Sequence, residues 1–580
     1  MSVTQPKAKE IDDRREVLRD HRPRMQDAAC LAVLIVIAVV SWIPRIRGPI
    51  DFRWDAGVYY VLGTSLASGR GYRLLNEPGQ IEAIQYPPGL PALVAAHQIA
   101  LHSSDPRVVG PWLRRTWFLL SVGSVLFCFL FSRLFLSRVY ALLTAVAFVL
   151  SYEVFFLSTL CFAELPFAFV SVLFGWVYWR FGRRPAGEVA SGALAVSAYL
   201  LRSLGIALLL SWVADALLHR RYRAALVRAV VALAPVLAWQ SYVRSVETSA
   251  SYQHPAYSYQ RDASLFYNVS YATNVSLRDP FEPELGKAQP ADLVSRFVSN
   301  VRALPGNIGQ VLVAPRNFLA IYLWRMTAPR SVPSGWVRGA LFLFGCAGLW
   351  GIGLQFRRRR WWIAIYLVLT LAAVCITPWP GQAMRYLCPL LPFLMTGVFE
   401  AIQAARARMR GYRFGRVLGN GAVAIGISTV VLGSAGSFAV VRQQLLHTVT
   451  LQTSDGKTEN YTLMHYPPSF ASLANALEWV KKSASSDSIV AISMPQWAYL
   501  QTGRRAVMPP FYRDAERVQR ALDSVPVTYL VVDQIEMESQ FSERFWNVVR
   551  NFPDRWRLVY AAPMAHVYAR EMPGVRRAEK

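Results

Sequence analysis

Asp51-Phe52-Arg53-Trp54-Asp55-Ala56-Gly57-Val58-Tyr59-Tyr60 begins seven residues after an apolar run at 27–44. Ten residues carry two carboxylates, one guanidinium and four aromatic rings beside a segment long enough to cross a bilayer. Downstream come Leu66-Ala67-Ser68-Gly69-Arg70-Gly71-Tyr72 and Tyr86-Pro87-Pro88-Gly89-Leu90-Pro91. The spacing of Val58, Leu62, Ser65 and Leu66 predicts a helix lying on a membrane surface, and Pro88–Leu101 predicts a second. Asp55 opens the first of these helices. A carboxylate there suits a cap on free backbone N–H groups.

Working outward, apolar runs recur at 27–44, 111–136, 139–158, 161–180, 188–201, 203–218, 223–243, 336–356, 361–379, 383–400 and 417–441. Most approach the roughly 20 residues that span a bilayer core as helix. The stretch 188–218 reads as a helical hairpin with Arg202 and Ser203 at its turn. The expected fold is therefore a polytopic α-helical membrane protein with about eleven transmembrane helices. Residues 27–441 form its membrane domain and residues 1–26 a basic cytoplasmic tail.

Of 580 residues, 54% are hydrophobic, and the net charge is +26. Such a charge fits either a nucleic-acid binder or a membrane protein with basic cytoplasmic loops. With the tail inside, segments 1–26, 133–138, 180–184, 219–223, 357–360 and 406–416 carry 24 Lys and Arg against five acids, all in the tail. Topology thus accounts for a surplus of 19, and nothing is left for nucleic acid to explain. The outward pieces are 45–110, 244–335 and 442–580. Trp42-Ile43-Pro44-Arg45 lacks the small-residue pattern of a signal-peptide cleavage site. The six cysteines fall within or beside the apolar runs, so no disulfide framework is expected outside.

Residues 442–580 alternate short β-rich runs with helical patterns and predict a small extracytoplasmic α/β domain. Strands are expected at Ser488–Ser493, Val527–Asp533, Trp556–Ala561 and Ala565–Arg570. Helices are expected at Ser472–Ala484, Ala515–Asp523 and Glu543–Asn551. No Gly-rich phosphate loop occurs in this domain.

The order Asp55, Tyr59, Ala67-x-Gly69-x-Gly71-Tyr72, Pro87-Pro88-Gly89-x-Pro91, directly after a first apolar run, resembles the polyprenyl-phosphate-sugar-dependent glycosyltransferases of the GT-C fold. Protein O-mannosyltransferases and lipid A aminoarabinose transferases belong to that group. The likeness covers the layout of roughly the first 400 residues and is sharpest over about fifty. It implies transfer of a sugar from a polyprenyl-phosphate donor to an acceptor hydroxyl or amine on a glycan, lipid or protein, with inversion. It implies Asp55 as catalytic base and Glu164, at an outward span end, as a second acid. Asp51, Tyr59, Tyr86, Pro87 and Pro88 would form the substrate loop. Two features depart from the group. Ala56 stands where a second acid is usual, and Gln85-Tyr86 precedes the proline pair where aminoarabinose transferases carry Lys.

Two further arginines run against the positive-inside bias. Arg202 lies at the outward hairpin, and Arg385, followed by Tyr386, opens a span outside. A guanidinium can give phosphate two parallel hydrogen bonds. The plainer reading of Arg202 is interfacial snorkelling, and Glu164 also suits a helix start. Glu153 is a weaker third acid, and Arg53 has no assigned role. Neither a metal nor a cofactor is expected. The expected setting is a bacterial cytoplasmic membrane, with membrane lipid and the lipid-linked sugar as partners. A transporter or flippase of a lipid-linked substrate is the alternative, although its polar residues would gather at mid-membrane rather than at the outer border.

Overall fold

The computed structural model describes residues 25–42, 46–327, 334–409, 413–452, 456–536 and 539–571. Residues 1–24 of the expected tail and 410–412 of the expected basic segment lie outside the described residues. The first described helix is α1 (Met25–Trp42), followed by α2 (Asp55–Ala67), which is largely buried rather than lying on a surface, and α3 (Gly89–Ala100). Next come α4 (Pro106–Arg133), α5 (Arg138–Leu150), the short α6 (Tyr152–Leu157) and α7 (Glu164–Phe181). Helices α8 (Pro185–Leu201), α9 (Ile206–Leu218) and α10 (Tyr222–Glu247) complete the first half.

Segments Met25–Trp42, Pro106–Arg133, Tyr222–Glu247, Ser334–Arg357 and Pro380–Arg408 are long and apolar enough to cross a membrane. Shorter apolar helices lie between them. The expected run at 139–158 is broken at Ser151, which is extended (φ −63°, ψ 130°) between α5 and α6. The 188–218 stretch is two helices joined at Arg202, whose backbone is also extended (φ −148°, ψ 137°).

Residues 244–335, expected as an outward loop, contain α11 (Pro290–Leu312) and α12 (Arg316–Thr327). Their sequence is interrupted by Arg296, Arg302 and Pro305, so apolar periodicity did not flag them. Packing stabilises them instead. Gly309 of α11 lies against the Leu341 carbonyl of α13 (Ser334–Arg357), where a side chain would collide. Next come α14 (Trp361–Ile376), α15 (Ala383–Leu387), α16 (Leu391–Met409) and α17 (Arg413–Gln444). The α15–α16 junction is a 3-10 turn at Cys388–Leu390, where Pro389 supplies no backbone N–H.

The C-terminal domain begins with an antiparallel hairpin, β1 (Leu446–Gln452) and β2 (Thr458–Met464). Helix α18 (Pro468–Ser483), β3 (Ile489–Ala491), α19 (Pro495–Thr502) and β4 (Arg505–Val507) follow. Then come α20 (Ala515–Asp523), β5 (Tyr529–Asp533), α21 (Ser539–Asn551), β6 (Trp556–Ala562) and β7 (Ala565–Arg570). The sheet order is β4-β3-β5-β7-β6, parallel across the first three strands and antiparallel across the last two pairs. The result is an α/β layer structure, as the alternating pattern predicts.

Candidate active site

The loop at 51–55 is fixed from two sides. The Asp51 N–H donates to the Thr159 carbonyl, and the Cys161 N–H donates to the Asp51 carbonyl. This backbone ladder sets the loop before α2 against the segment that leads, three residues later, into Glu164. On the other side Arg53 is 1% exposed. Its guanidinium binds the Asp51 carboxylate (Nη2 to Oδ2, 2.6 Å) and donates to the carbonyls of Met464 and His465, both at 2.7 Å. The rings of Trp54 and Phe470 flank it at 4.7 and 4.3 Å. Arg53 therefore joins the first loop to the C-terminal domain, and it occupies Asp51. Gly57 tightens the same junction, since a Cβ there would stand 3.1 Å from Gln496 Cβ in α19.

Trp54 adopts φ 55° and ψ −136°, a left-handed conformation that strains a bulky residue. The turn throws Asp55 to the first position of α2. No side chain caps this helix. The Asp55 carboxylate instead points to distant partners, so the capping reading fails on geometry. One oxygen accepts from Tyr267 Oη at 2.8 Å, and the other pairs with Arg385 Nη2 at 2.5 Å.

Arg385 binds two acids at once, because its Nε also pairs with Glu164. Its guanidinium lies 4.1 Å over the Phe162 ring. Glu164 is fully buried at the start of α7. Arg202 Nη1 approaches it to 2.5 Å, yet that nitrogen makes no aligned hydrogen bond, and Glu164 Oε2 has no partner either. The Tyr386 ring lies 5.1 Å beneath the Arg202 guanidinium. Glu153 is buried nearby, within the electrostatic reach of Arg385 and Glu164.

Burial pushes the Asp55 carboxyl up. The opposing charge and hydrogen bond of Arg385, with help from Tyr267, outweigh burial and leave it below the ordinary carboxylate range. The Tyr59 and Tyr86 rings meet tilted at 4.9 Å, and Tyr86 lies 6.3 Å from Tyr267, forming an aromatic wall beside Asp55. Tyr72 Oη donates to the Tyr86 carbonyl at 2.9 Å, and Pro88 precedes α3. The Pro87 carbonyl lies 3.5 Å from the same Tyr72 hydroxyl.

The residues singled out in the sequence thus divide. Asp55, Glu164, Arg202, Arg385 and Tyr386 converge; Asp51 is held apart by Arg53. Sequence reading missed Tyr267, which reaches Asp55 across 212 residues of chain and carries no local motif.

This architecture is the GT-C fold. Two solved structures share it. One is the oligosaccharyltransferase AglB from Archaeoglobus fulgidus, in complex with an inhibitory peptide and a dolichol-phosphate. It is 15% identical and matches with a TM-score of 0.51 over 95% of this chain and 75% of that one. The other is ArnT from Cupriavidus metallidurans bound to undecaprenyl phosphate, 12% identical, with a TM-score of 0.50 over 93% of this chain and 97% of that one. No family model matches the sequence, and no curated protein matches it either.

Proposed function

We propose that the chain is a membrane glycosyltransferase that moves a sugar from a polyprenyl-phosphate donor to an acceptor hydroxyl or amine. The acceptor would be a glycan, lipid or protein of the cell envelope, reached on the outer face of a bacterial cytoplasmic membrane. The observation that carries this reading is the Asp55–Arg385–Glu164–Arg202 cluster. It unites a base, two phosphate-binding cations and a second acid at one end of the helical bundle. The lipid phosphates in the AglB and ArnT structures support a donor of this chemistry.

In the reaction Asp55 takes the proton of the acceptor as its oxygen or nitrogen attacks the anomeric carbon. The bond from that carbon to the phosphate oxygen breaks, and the electron pair leaves with the phosphate. Direct in-line attack inverts the centre. Phosphate leaves readily once its charge is met, so one base suffices, unlike the two-carboxylate hydrolases. Arg202 has N–H donors unspent, and Arg385 can turn part of its fork to the leaving group. A phosphate that draws Arg385 away also removes the charge that depresses Asp55, making the base stronger when donor is bound.

Steady-state kinetics with a synthetic polyprenyl-phosphate sugar test the phosphate role. Arg385→Lys keeps the charge but loses the fork and should lower kcat about tenfold. Arg385→Ala should lower it about a hundredfold, with donor KM also raised, because the leaving phosphate gains charge in the transition state. Wild-type turnover by thermally intact variants would place the phosphate elsewhere.

A further inference from the structure

The end of the bundle opposite Asp55 carries a second polar centre. Helix α7 begins at Glu164 and ends at Phe181, roughly 25 Å away at helical rise. Helices α8 and α14 repeat this span, from Arg202 back to Glu188 and from Thr377 back to Trp362. Between these far ends lies a cavity of ≈ 700 Å³. Its size falls in the range of small-molecule sites.

The lining mixes arginines with an apolar floor that includes Trp179 and Trp362. The carboxylates at and behind this wall are already taken. Glu188 binds the buried Arg228 (Oε2 to Nη2, 2.9 Å), Asp215 pairs with Arg221 (3.3 Å), and Glu400 pairs with Arg360 (2.7 Å). Arg183, Arg184 and Arg359 also line the cavity, and none has a carboxylate within ion-pair distance among the described residues. Arg359, two residues past the end of α13, holds φ 55°, a left-handed position that glycine normally takes. Trp362 is 1% exposed, and its indole N–H has no acceptor. An uncompensated cationic rim, an orphaned buried donor and an indole floor together describe an amphiphile with an anionic head.

We propose that this cavity binds the phosphate headgroup of an anionic membrane lipid, held by Arg183, Arg184 and Arg359 over the Trp179–Trp362 floor. Its distance from Asp55, close to a bilayer core thickness, puts it in the opposite headgroup layer. A free phosphate shares the chemistry of the head but would leave the apolar floor unused.

The test reconstitutes the full chain with equal amounts of phosphatidylglycerol and phosphatidylcholine, then weighs retained lipid by native mass spectrometry. Wild type should keep phosphatidylglycerol over phosphatidylcholine by about tenfold or more. The triple variant Arg183→Gln, Arg184→Gln, Arg359→Gln should lose that preference, and the corresponding Lys variant should recover part of it. Equal retention by wild type and the Gln variant would overturn the proposal. In lipid-free micelles, inorganic phosphate should leave the melting temperature unmoved while phosphatidylglycerol raises it. An equal rise with phosphate would assign the site to a soluble anion and overturn the lipid. Should the Gln variant fail to fold, a photo-reactive phosphatidylglycerol on wild type decides. Labelling within 179–185 and 359–362 supports the site, and labelling only elsewhere refutes it. None of these residues contacts Asp55, so loss of lipid binding and loss of transfer are separate outcomes.

Discussion

Burial alone would raise the Asp55 carboxyl, and Arg385 reverses that. The unliganded protein therefore holds an ionised, well-paired carboxylate at neutral pH, and under the proposed reaction kcat/KM should stay flat from neutral down to about pH 5. Removing Arg385 leaves burial opposed only by the Tyr267 hydrogen bond and the charge of Arg202. In Arg385→Gln the acid limb of kcat/KM should move upward, because a base works only above its pKa and that pKa has risen. A pH profile of the residual activity reads this directly. A limb that stays where it was in wild type would mean that the titrating base is not the carboxyl facing Arg385. Arg385 was only partly legible in the sequence. Its charge at an outward span end stood out in the sequence, but its bond to two acids, 330 and 221 residues away, did not.

Among the elements, those with strong local signals were readable. Helix α20 runs Ala515–Asp523 as expected, with Asp514 accepting from the Glu516 N–H as its cap. The hairpin at Arg202 was readable because a charged residue divides a run too long for one span. The β1–β2 hairpin was not, since β2 is polar over most of its length and exposed in its first half, although Asp455-Gly456 is a turn signal. Tyr267 stayed hidden because its loop is placed by long-range bonds. Glu77 in the first loop accepts from Tyr257 Oη at 2.7 Å and, more loosely, from Gln260. Burial pushes Glu77 up to about 6 from 4.5. The folded form then holds the proton more tightly than the unfolded chain. This contribution favours folding at low pH and fades as pH rises from about 4.5 through 6, by about 2 kcal/mol. Glu77→Gln keeps an acceptor for Tyr257 and removes the titration. Wild type should thus lose more melting temperature than Glu77→Gln between about pH 5 and about pH 7. Parallel losses in both proteins would show that Glu77 ionises normally.

At the scale of the whole molecule, two polar centres stand at opposite ends of one helical bundle, an acid–arginine cluster at Asp55 and an arginine-rimmed cavity near Arg359. We propose that the positive-inside bias orients them, with the arginine loops toward the cytoplasm and the C-terminal strands and helices outward. Reporter fusions after Arg360 and at the C-terminus should give opposite signals, and identical signals would overturn that orientation. The central claim is chemical, and one measurement reaches it most directly. Purified chain in nanodiscs receives a polyprenyl-phosphate sugar labelled in both sugar and lipid, with an envelope extract as acceptor. Wild type should release free polyprenyl phosphate as the label passes to acceptor with inverted anomeric configuration. Asp55→Asn, which keeps the size of the side chain, should be slower by about a hundredfold or more at unchanged melting temperature. Near-normal release by Asp55→Asn would contradict the account, as would a wild type that carries the labelled lipid across the bilayer with its sugar still attached.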